Sequence, residues 1–528
     1  MNRRTFIQSA IAAGGMHTSI NSFAAITRNV GSTPELAELS VATAQARMQK
    51  GELTSLALCK HYLGRIEAID RHGPRLNSII ELNPDALAIA AALDRERQAS
   101  KVRGPLHGVP VLLKDNIATA DRMETTAGSL ALLGAKPIKD SAIVRQLREA
   151  GAVILGKTNL SEWANMRSTR PTSGWSGRGG LTLNPYALNR NCSGSSSGTG
   201  AAIAADLAIL GVGTETDGSI VSPASICGLV GVKPSIGLVS RNGIIPIAHS
   251  QDTAGPMTRT VADAAALLDV LAAPDPRDPV TLAAGRPASF VQQLNETALK
   301  GKRIGVARNF FGFHDQVDAV IEQALKDLQA LGATLVDPVE VPNVSKYADS
   351  EFQALLFEYK DDLKRYLDEF SPNGAIRSMA DVIRFNEQHQ DRELVHFGQE
   401  LLMQADATTG LDAPEYQQAL ANNHRYARQE GIDQVLAEHR LDALVAPTGG
   451  VAWVNDLIMG DHTGNGFSSP AAVAGYPHVT VPAGQVGGLP VGLSFVGMAF
   501  SDAQLLGMAY AYEQGTRKRQ SPRYLPRI

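Results

Sequence analysis

Two wholly apolar runs with one amphipathic helix between them constrain the fold more than any other feature of the chain. Val109-Pro110-Val111-Leu112-Leu113 and Ala152-Val153-Ile154-Leu155-Gly156 are too short for helices and show no polar alternation. Each therefore predicts a strand buried on both faces. Between them, Asp140 to Ala150 predicts a helix with Asp140 or Ser141 as its cap and Gly151 closing it. Strand, helix and strand in this order are the unit of an α/β core. The pattern returns later: Arg303 to Val306 reads as a strand, Asp315 to Leu331 as an amphipathic helix and Ala333 to Val336 as a strand. Leu441 to Pro447, Val479 to Pro482 and Pro490 to Val496 add further strands, the last two joined around Gly487-Gly488, and Ser501 to Gln514 closes the chain as a helix. With no internal repeat and α/β texture from end to end, the expectation is one large domain over residues 26–528.

Other segments fill in the frame. Leu36 to Met48, Ser55 to Asp70 and the Ala-rich run from Pro84 to about Ala99 predict helices, and Leu56, Cys59, Leu63, Ile66 and Ile69 mark one buried face. Cys59 on that face reads as an inert core residue. Gly179 to Gly200 is rich in glycine and serine and runs into an apolar helix, Thr199 to Ile209. Gly211 to Thr214 begins a second glycine-rich stretch, which ends at Gly218-Ser219 before an apolar segment to Val232. Small residues embedded in this much apolar sequence predict tight packing rather than a flexible linker. Pro274 to Pro287 reads as a loop. Tyr347 to Phe397 is largely helical in pattern, more charged and more aromatic, and reads as an elaboration beside the core, spanning about 310–440.

Composition excludes several classes. Lys+Arg is 49 against Asp+Glu 53, a net charge of −4 with no basic stripe, so nothing marks a nucleic-acid partner. The three cysteines, Cys59, Cys192 and Cys227, make neither a disulfide framework nor a metal site. Residues 1–25 read as an export signal: Arg3-Arg4, a weak apolar stretch from Ile7 to Gly15, then Ser22-Phe23-Ala24. Paired arginines before a weak apolar core resemble a twin-arginine signal, which implies a periplasmic or secreted protein. The segment is too short to span a bilayer, which needs about 20 apolar residues, and no membrane contact is expected after cleavage.

Three places can carry chemistry. Lys114 ends a buried strand, where desolvation favours the neutral amine over the ammonium. Ser195-Ser196-Ser197 lies between Gly194 and Gly198 just before a helix, without the Gly-Lys-Ser/Thr of a phosphate loop. Thr216-Asp217-Gly218-Ser219-Ile220 is a second turn that can present a serine beside converging N–H groups, as acyl transfer requires. His107, His249 and His478 are scattered singly, so no histidine partner for a serine is evident.

Together these segments resemble the amidase signature family. The resemblance is carried by Lys114, Ser193-Gly194-Ser195-Ser196-Ser197-Gly198, Gly213 to Ile220, Cys227 to Pro234 and Asp252-Thr253-Ala254-Gly255-Pro256-Met257, in that order. It extends from about Leu36 to Gly515, with a core signature region of about 104–270. It implies a central mixed, twisted sheet covered by helices on both faces. It implies a Ser–cisSer–Lys unit: Ser219 as nucleophile, Ser195 as bridging serine after a cis Gly194–Ser195 bond, and Lys114 as general base. The N–H groups of Thr216, Asp217, Gly218 and Ser219 would form the oxyanion hole, and neither a metal nor an organic cofactor is implied.

Two departures narrow the resemblance. Asp217 stands where the family usually has glycine, and Val221 where it often has arginine. An acidic side chain near an oxyanion is unhelpful unless it points away. With these changes the chain is similar to the bacterial peptide amidases, as are Ser161-Glu162-Trp163-Ala164-Asn165, Ser173-Gly174-Trp175-Ser176, Asn242 to Pro246 and Ser250-Gln251-Asp252. That implies hydrolysis of the C-terminal amide of a peptide, with a small-molecule or short peptide amide as partner. Met123, Thr126, Trp163, Trp175, Arg178 and Tyr186 are the candidate substrate contacts. A general aliphatic, aryl or cyclic amide hydrolase keeps the same triad. An amidotransferase component that serves misacylated transfer RNA, a membrane lipid-amide hydrolase and a non-catalytic scaffold are the remaining readings. A monomer is the simplest expectation and a homodimer the alternative.

Overall fold

The computed structural model describes residues 34–528, apart from residue 284. The segment read as an export signal lies outside the described residues. Eleven strands form one sheet: β1 (Ile79–Leu82), β2 (Pro110–Lys114), β3 (Val153–Thr158), β4 (Leu210–Glu215), β5 (Val230–Lys233), β6 (Thr253–Thr258), β7 (Arg303–Ala307), β8 (Thr334–Val339), β9 (Ala443–Pro447), β10 (His478–Val486) and β11 (Leu489–Val496). Their order in space is β1-β3-β2-β4-β6-β5-β10-β11-β9-β7-β8. β2 is parallel to both neighbours, β6 is antiparallel to β4 and β5, and β10 and β11 form an antiparallel hairpin. The sheet is therefore mixed. Every residue of β2, β3, β4 and β6 is buried, which requires cover on both faces.

Most elements fall where periodicity predicts, and the exceptions have physical reasons. The helix expected over Leu36 to Met48 is a short turn at Pro34–Leu36 and then a helix at Val41–Gln49. Ser40 interrupts the run because its hydroxyl caps the later helix, accepting the Thr43 N–H at 3.1 Å. The helix expected over Thr199 to Ile209 is α1 (Ser197–Ala204), and Gly211 to Thr214, the start of the second glycine-rich stretch, belongs to β4. Those glycines are there for proximity. A Cβ on Gly211 would lie 2.7 Å from the side chains of Ile203 and Thr199 on α1. β6 is disguised by Pro256, which lacks an N–H, and by Gly255, where a Cβ would sit 2.0 Å from the Val232 carbonyl oxygen. The middle section is not helical throughout, because β8 lies within it and joins the same sheet.

The main hydrophobic cluster draws on residues from Leu39 to Tyr512. A second cluster lies under α3 (Val344–Phe370), where Tyr359, Leu363, Tyr366, Leu367 and Phe370 meet Trp163, Ile245 and Ile247. The long helix is thereby pressed against the loops that follow β3 and β5. Among the described residues, no helix is long and apolar enough to cross a membrane.

Candidate active site

Lys114 is the last residue of β2, and its neighbours on that strand are apolar and fully buried. Its side chain is buried too. Nζ lies 2.7 Å from Ser195 Oγ, 2.9 Å from Thr214 Oγ1 and 3.2 Å from the Thr214 carbonyl oxygen. Burial pushes the Lys114 ammonium down to about 7, against the opposing pull of Asp252 and Glu215. Near neutral pH a large share of Lys114 is therefore the free amine. Asn116 orients this partner set by donating Nδ2 to Thr214 Oγ1 at 3.0 Å.

The peptide bond Gly194–Ser195 is cis. Glycine is required at 194 for a steric reason: a Cβ there would lie 2.2 Å from Ser161 Oγ and 3.0 Å from Ser173 Oγ. The Ser161 N–H donates to the Ser195 carbonyl oxygen at 3.1 Å, which fixes the loop to the segment after β3. The two serine turns are stitched together. The Ser196 N–H donates to the Ser219 carbonyl oxygen at 3.2 Å, and Ser193 Oγ lies 2.8 Å from Ser222 Oγ. Ser219 thus sits beside the Ser195 loop, and it retains 8 % exposure.

The turn before Ser219 is folded by Glu215, a functional residue that no local sequence pattern singles out. Its Oε2 accepts the N–H groups of Ile220 at 2.7 Å and Val221 at 3.0 Å, at the start of α2 (Val221–Ile226). Burial raises its carboxyl above the usual range, while Lys233 works the other way. Gly218 takes a φ of +77° there, a conformation that glycine adopts without strain. Among the described residues, no protein acceptor takes the N–H groups of Thr216, Asp217, Gly218 or Ser219. Four donors thus remain free beside the Ser219 side chain, the kind of arrangement that stabilises an oxyanion.

The Asp217 carboxylate points away into protein. Its Oδ2 accepts from Ser469 Oγ at 2.6 Å, on α4 (Ser468–Ala474), and it shares a hydrogen bond with Glu351 of α3. Burial, reinforced by Asp217, drives Glu351 well above the ordinary carboxyl range. Asp252 also lies at the site. It borders a small cavity with Asn116, Thr214, Thr216 and Ile245. Its sequence signal is its place at the head of the Asp252 to Met257 segment.

The candidate substrate contacts need correction, because each is occupied inside the protein. Arg178 is ion-paired with Glu81 and, at 3.3 Å, with Asp115. Thr126 donates its hydroxyl to Asp115 Oδ2. Met123 is fully buried in the main cluster. Tyr186 is buried there as well, and its hydroxyl donates to the Gln520 carbonyl oxygen at 2.5 Å. Trp175 packs edge-on against His396 and Phe397, with Arg167 over its ring. Trp163 is buried in the cluster under α3. These residues build the walls that hold the site. The scattered histidines also have structural partners: the His107 ring meets the Leu93 carbonyl oxygen, His478 meets Ser494, and His249 meets Asp362. Cys59 is buried, and burial lifts its thiol to about 12, as befits an inert core residue.

Comparison with known proteins agrees with this geometry. The amidase family model matches residues 57–506. The solved peptide amidase from Stenotrophomonas maltophilia is 54% identical with a TM-score of 0.88, covering 92% of this chain and 98% of that one. A probable amidase of Arabidopsis thaliana is 41% identical over 507 residues, 94% of this chain and 93% of that protein. A glutamyl-tRNA(Gln) amidotransferase component of Symbiobacterium thermophilum is 35% identical over 497 residues, 92% of this chain and 98% of that protein.

Proposed function

The chain belongs to the amidase family, and from that premise we propose that it hydrolyses the C-terminal carboxamide of peptides to a carboxylate and ammonia through an acyl-enzyme on Ser219. The observation that carries the chemistry is the buried Lys114 amine held 2.7 Å from Ser195 Oγ, on a loop bonded to the backbone of Ser219. The Thr214 carbonyl and hydroxyl occupy the two hydrogens of the neutral amine, which leaves its lone pair for the Ser195 proton. Lys114 takes that proton as Ser195 takes the proton of Ser219, and Ser219 Oγ attacks the amide carbon. The oxyanion is received by the N–H groups of residues 216–219, where one such donor is worth about 3 kcal/mol. The relay reverses to protonate the leaving nitrogen, and ammonia departs. Water then cleaves the ester with the same groups as base and acid.

The peptide substrate is supported by likeness: the solved peptide amidase is 54% identical, against 35% for the amidotransferase component. A short peptide needs no protein or nucleic-acid partner, and the net charge of −4 favours neither. We further propose export of the folded protein through the segment headed by Arg3-Arg4. A fusion of residues 1–25 to a reporter, with both arginines changed to lysine in the control, tests that reading by its location.

The deciding assay is ammonia release. The panel holds a C-terminally amidated dipeptide, the same dipeptide as free acid, glutamine, an aliphatic amide and an aryl amide, each repeated with Ser219→Ala. Rapid release from the amidated dipeptide, lost in the variant, is the expected result. Release confined to simple amides would discard the peptide specificity and keep the chemistry.

A further inference from the structure

We propose that Asp252 is a positioning residue that ties the oxyanion turn to the base: it holds Thr216 in place and sets how readily Lys114 sheds its proton. The inference rests on the reading of Lys114 and Ser219 given above.

The geometry is specific. Asp252 stands immediately before β6 and is bound at both oxygens. Oδ1 accepts the Thr216 hydroxyl at 2.5 Å, and Oδ2 accepts the N–H groups of Ile247 at 2.8 Å and Ala248 at 3.0 Å. Thr216 is the first of the four residues with free N–H groups, so one face of Asp252 fixes where that turn begins. The same carboxylate borders the small cavity shared by Thr214, Asn116 and Thr216. Lys114 reaches that cavity through Thr214 Oγ1. Asp252 and Lys114 therefore feel each other across buried, low-dielectric space without touching, where a charge acts far more strongly than in water.

Other ionisable groups face the pair. Arg241 from the loop after β5 and Asp362 with Tyr359 from α3 act on Asp252, and Glu215 of β4 acts on Lys114. Burial raises the Asp252 carboxyl to about 7, against the hydrogen bonds from Thr216, Ile247 and Ala248, which favour its charge. Lys114 titrates in the same range. An ionised Asp252 favours the Lys114 ammonium, and a neutral residue at 252 favours the free amine that the reaction needs.

The test is the pH profile of kcat/KM for amide hydrolysis, measured on folded variants. In Asp252→Asn the acid limb is expected to move to lower pH by roughly one unit, because the charge that stabilises the ammonium is gone. At neutral pH kcat should fall while KM changes little, because the turn loses part of its anchor. The Asn oxygen can still accept from Ile247 and Ala248 while its NH2 faces the Thr216 hydroxyl, but a change at a carboxylate bound at both oxygens risks the fold. Thr216→Val is therefore the second variant: it deletes only the hydroxyl bond and should move the limb the same way by a smaller amount. Thr216→Ser keeps the hydroxyl and should restore the wild-type profile. An acid limb unmoved in folded Asp252→Asn, or in Thr216→Val where the first variant does not fold, overturns the inference. Ser219→Ala separates the two readings. If it still releases ammonia, the Ser219 chemistry itself fails. If it is inactive while the acid limbs stay put, only the role of Asp252 fails.

Discussion

The site has two walls built on different principles. One is made by three short segments, the end of β2, the Gly194-Ser195 loop and the Glu215 to Ser219 turn, and it is held by steric exclusion. A Cβ at Gly194 would come within 2.2 Å of Ser161 Oγ, and in β4, which leads into the turn, one at Gly211 or Gly213 would come within 2.7 Å of a neighbouring side chain. The other is contributed by α3 and the start of α4, and it is held by charge: Glu351 against Asp217, with Glu358 and Asp362 against His249. The first wall tolerates almost no change of shape. The second carries the groups that respond to protonation. A catalytic relay needs fixed distances, which packing supplies, whereas the field around it is adjusted by groups that titrate.

The largest effect should come from Lys114→Ala, which removes the base from the rigid wall. Turnover is expected to fall about a thousandfold or more, with circular dichroism unchanged. An active variant would break the comparison at its root. Next is Gly194→Ala. Its Cβ would meet Ser161 Oγ, so the loop must shift, at a cost of about 1–3 kcal/mol in stability. Hydrolysis is expected to drop at least about a hundredfold, because small displacements of reacting groups are costly. Retention of full activity would show that the wall is less rigid than its contacts imply.

Glu351→Gln probes the charged wall. In the wild type a negative charge appears on Glu351, near the turn before Ser219, as pH rises through its raised value, so activity should decline on the alkaline side. The variant carries no such charge, and that decline should vanish, with a change of less than about threefold at neutral pH. An unchanged alkaline limb would assign the pair a packing role alone. The smallest effect on catalysis belongs to Tyr186→Phe. Losing the bond to the Gln520 carbonyl should cost about 1 kcal/mol of stability in denaturant titration and leave KM within about twofold. A large KM change would return Tyr186 to the substrate cleft.

The legibility of the two walls differs for the same reason. The rigid wall uses glycine and serine at short spacings, and a lysine after five apolar residues is conspicuous, so the three segments stood out in the chain and the family resemblance then picked Lys114, Ser195 and Ser219 within them. Glu215 lay in plain view, but nothing local says that its carboxylate turns back onto the N–H groups of Ile220 and Val221. The aromatic candidates Trp163, Trp175 and Tyr186 misled because an aromatic in a core and one in a cleft look alike in sequence. Arg178 misled because its partners, Glu81 and Asp115, lie far from it along the chain.

The chain by itself determined the α/β texture, the positions of most strands and three places able to carry chemistry, because burial period and glycine placement are local properties, and the roles within the relay came from the family resemblance. The tertiary structure decided that β6 lies between β4 and β5 in the sheet, and that residues more than a hundred positions apart act on one another's charge. Glu351 faces Asp217, and Asp252 stands near Lys114. Electrostatic coupling depends on distance and burial in three dimensions, and neither is written in any single stretch of sequence.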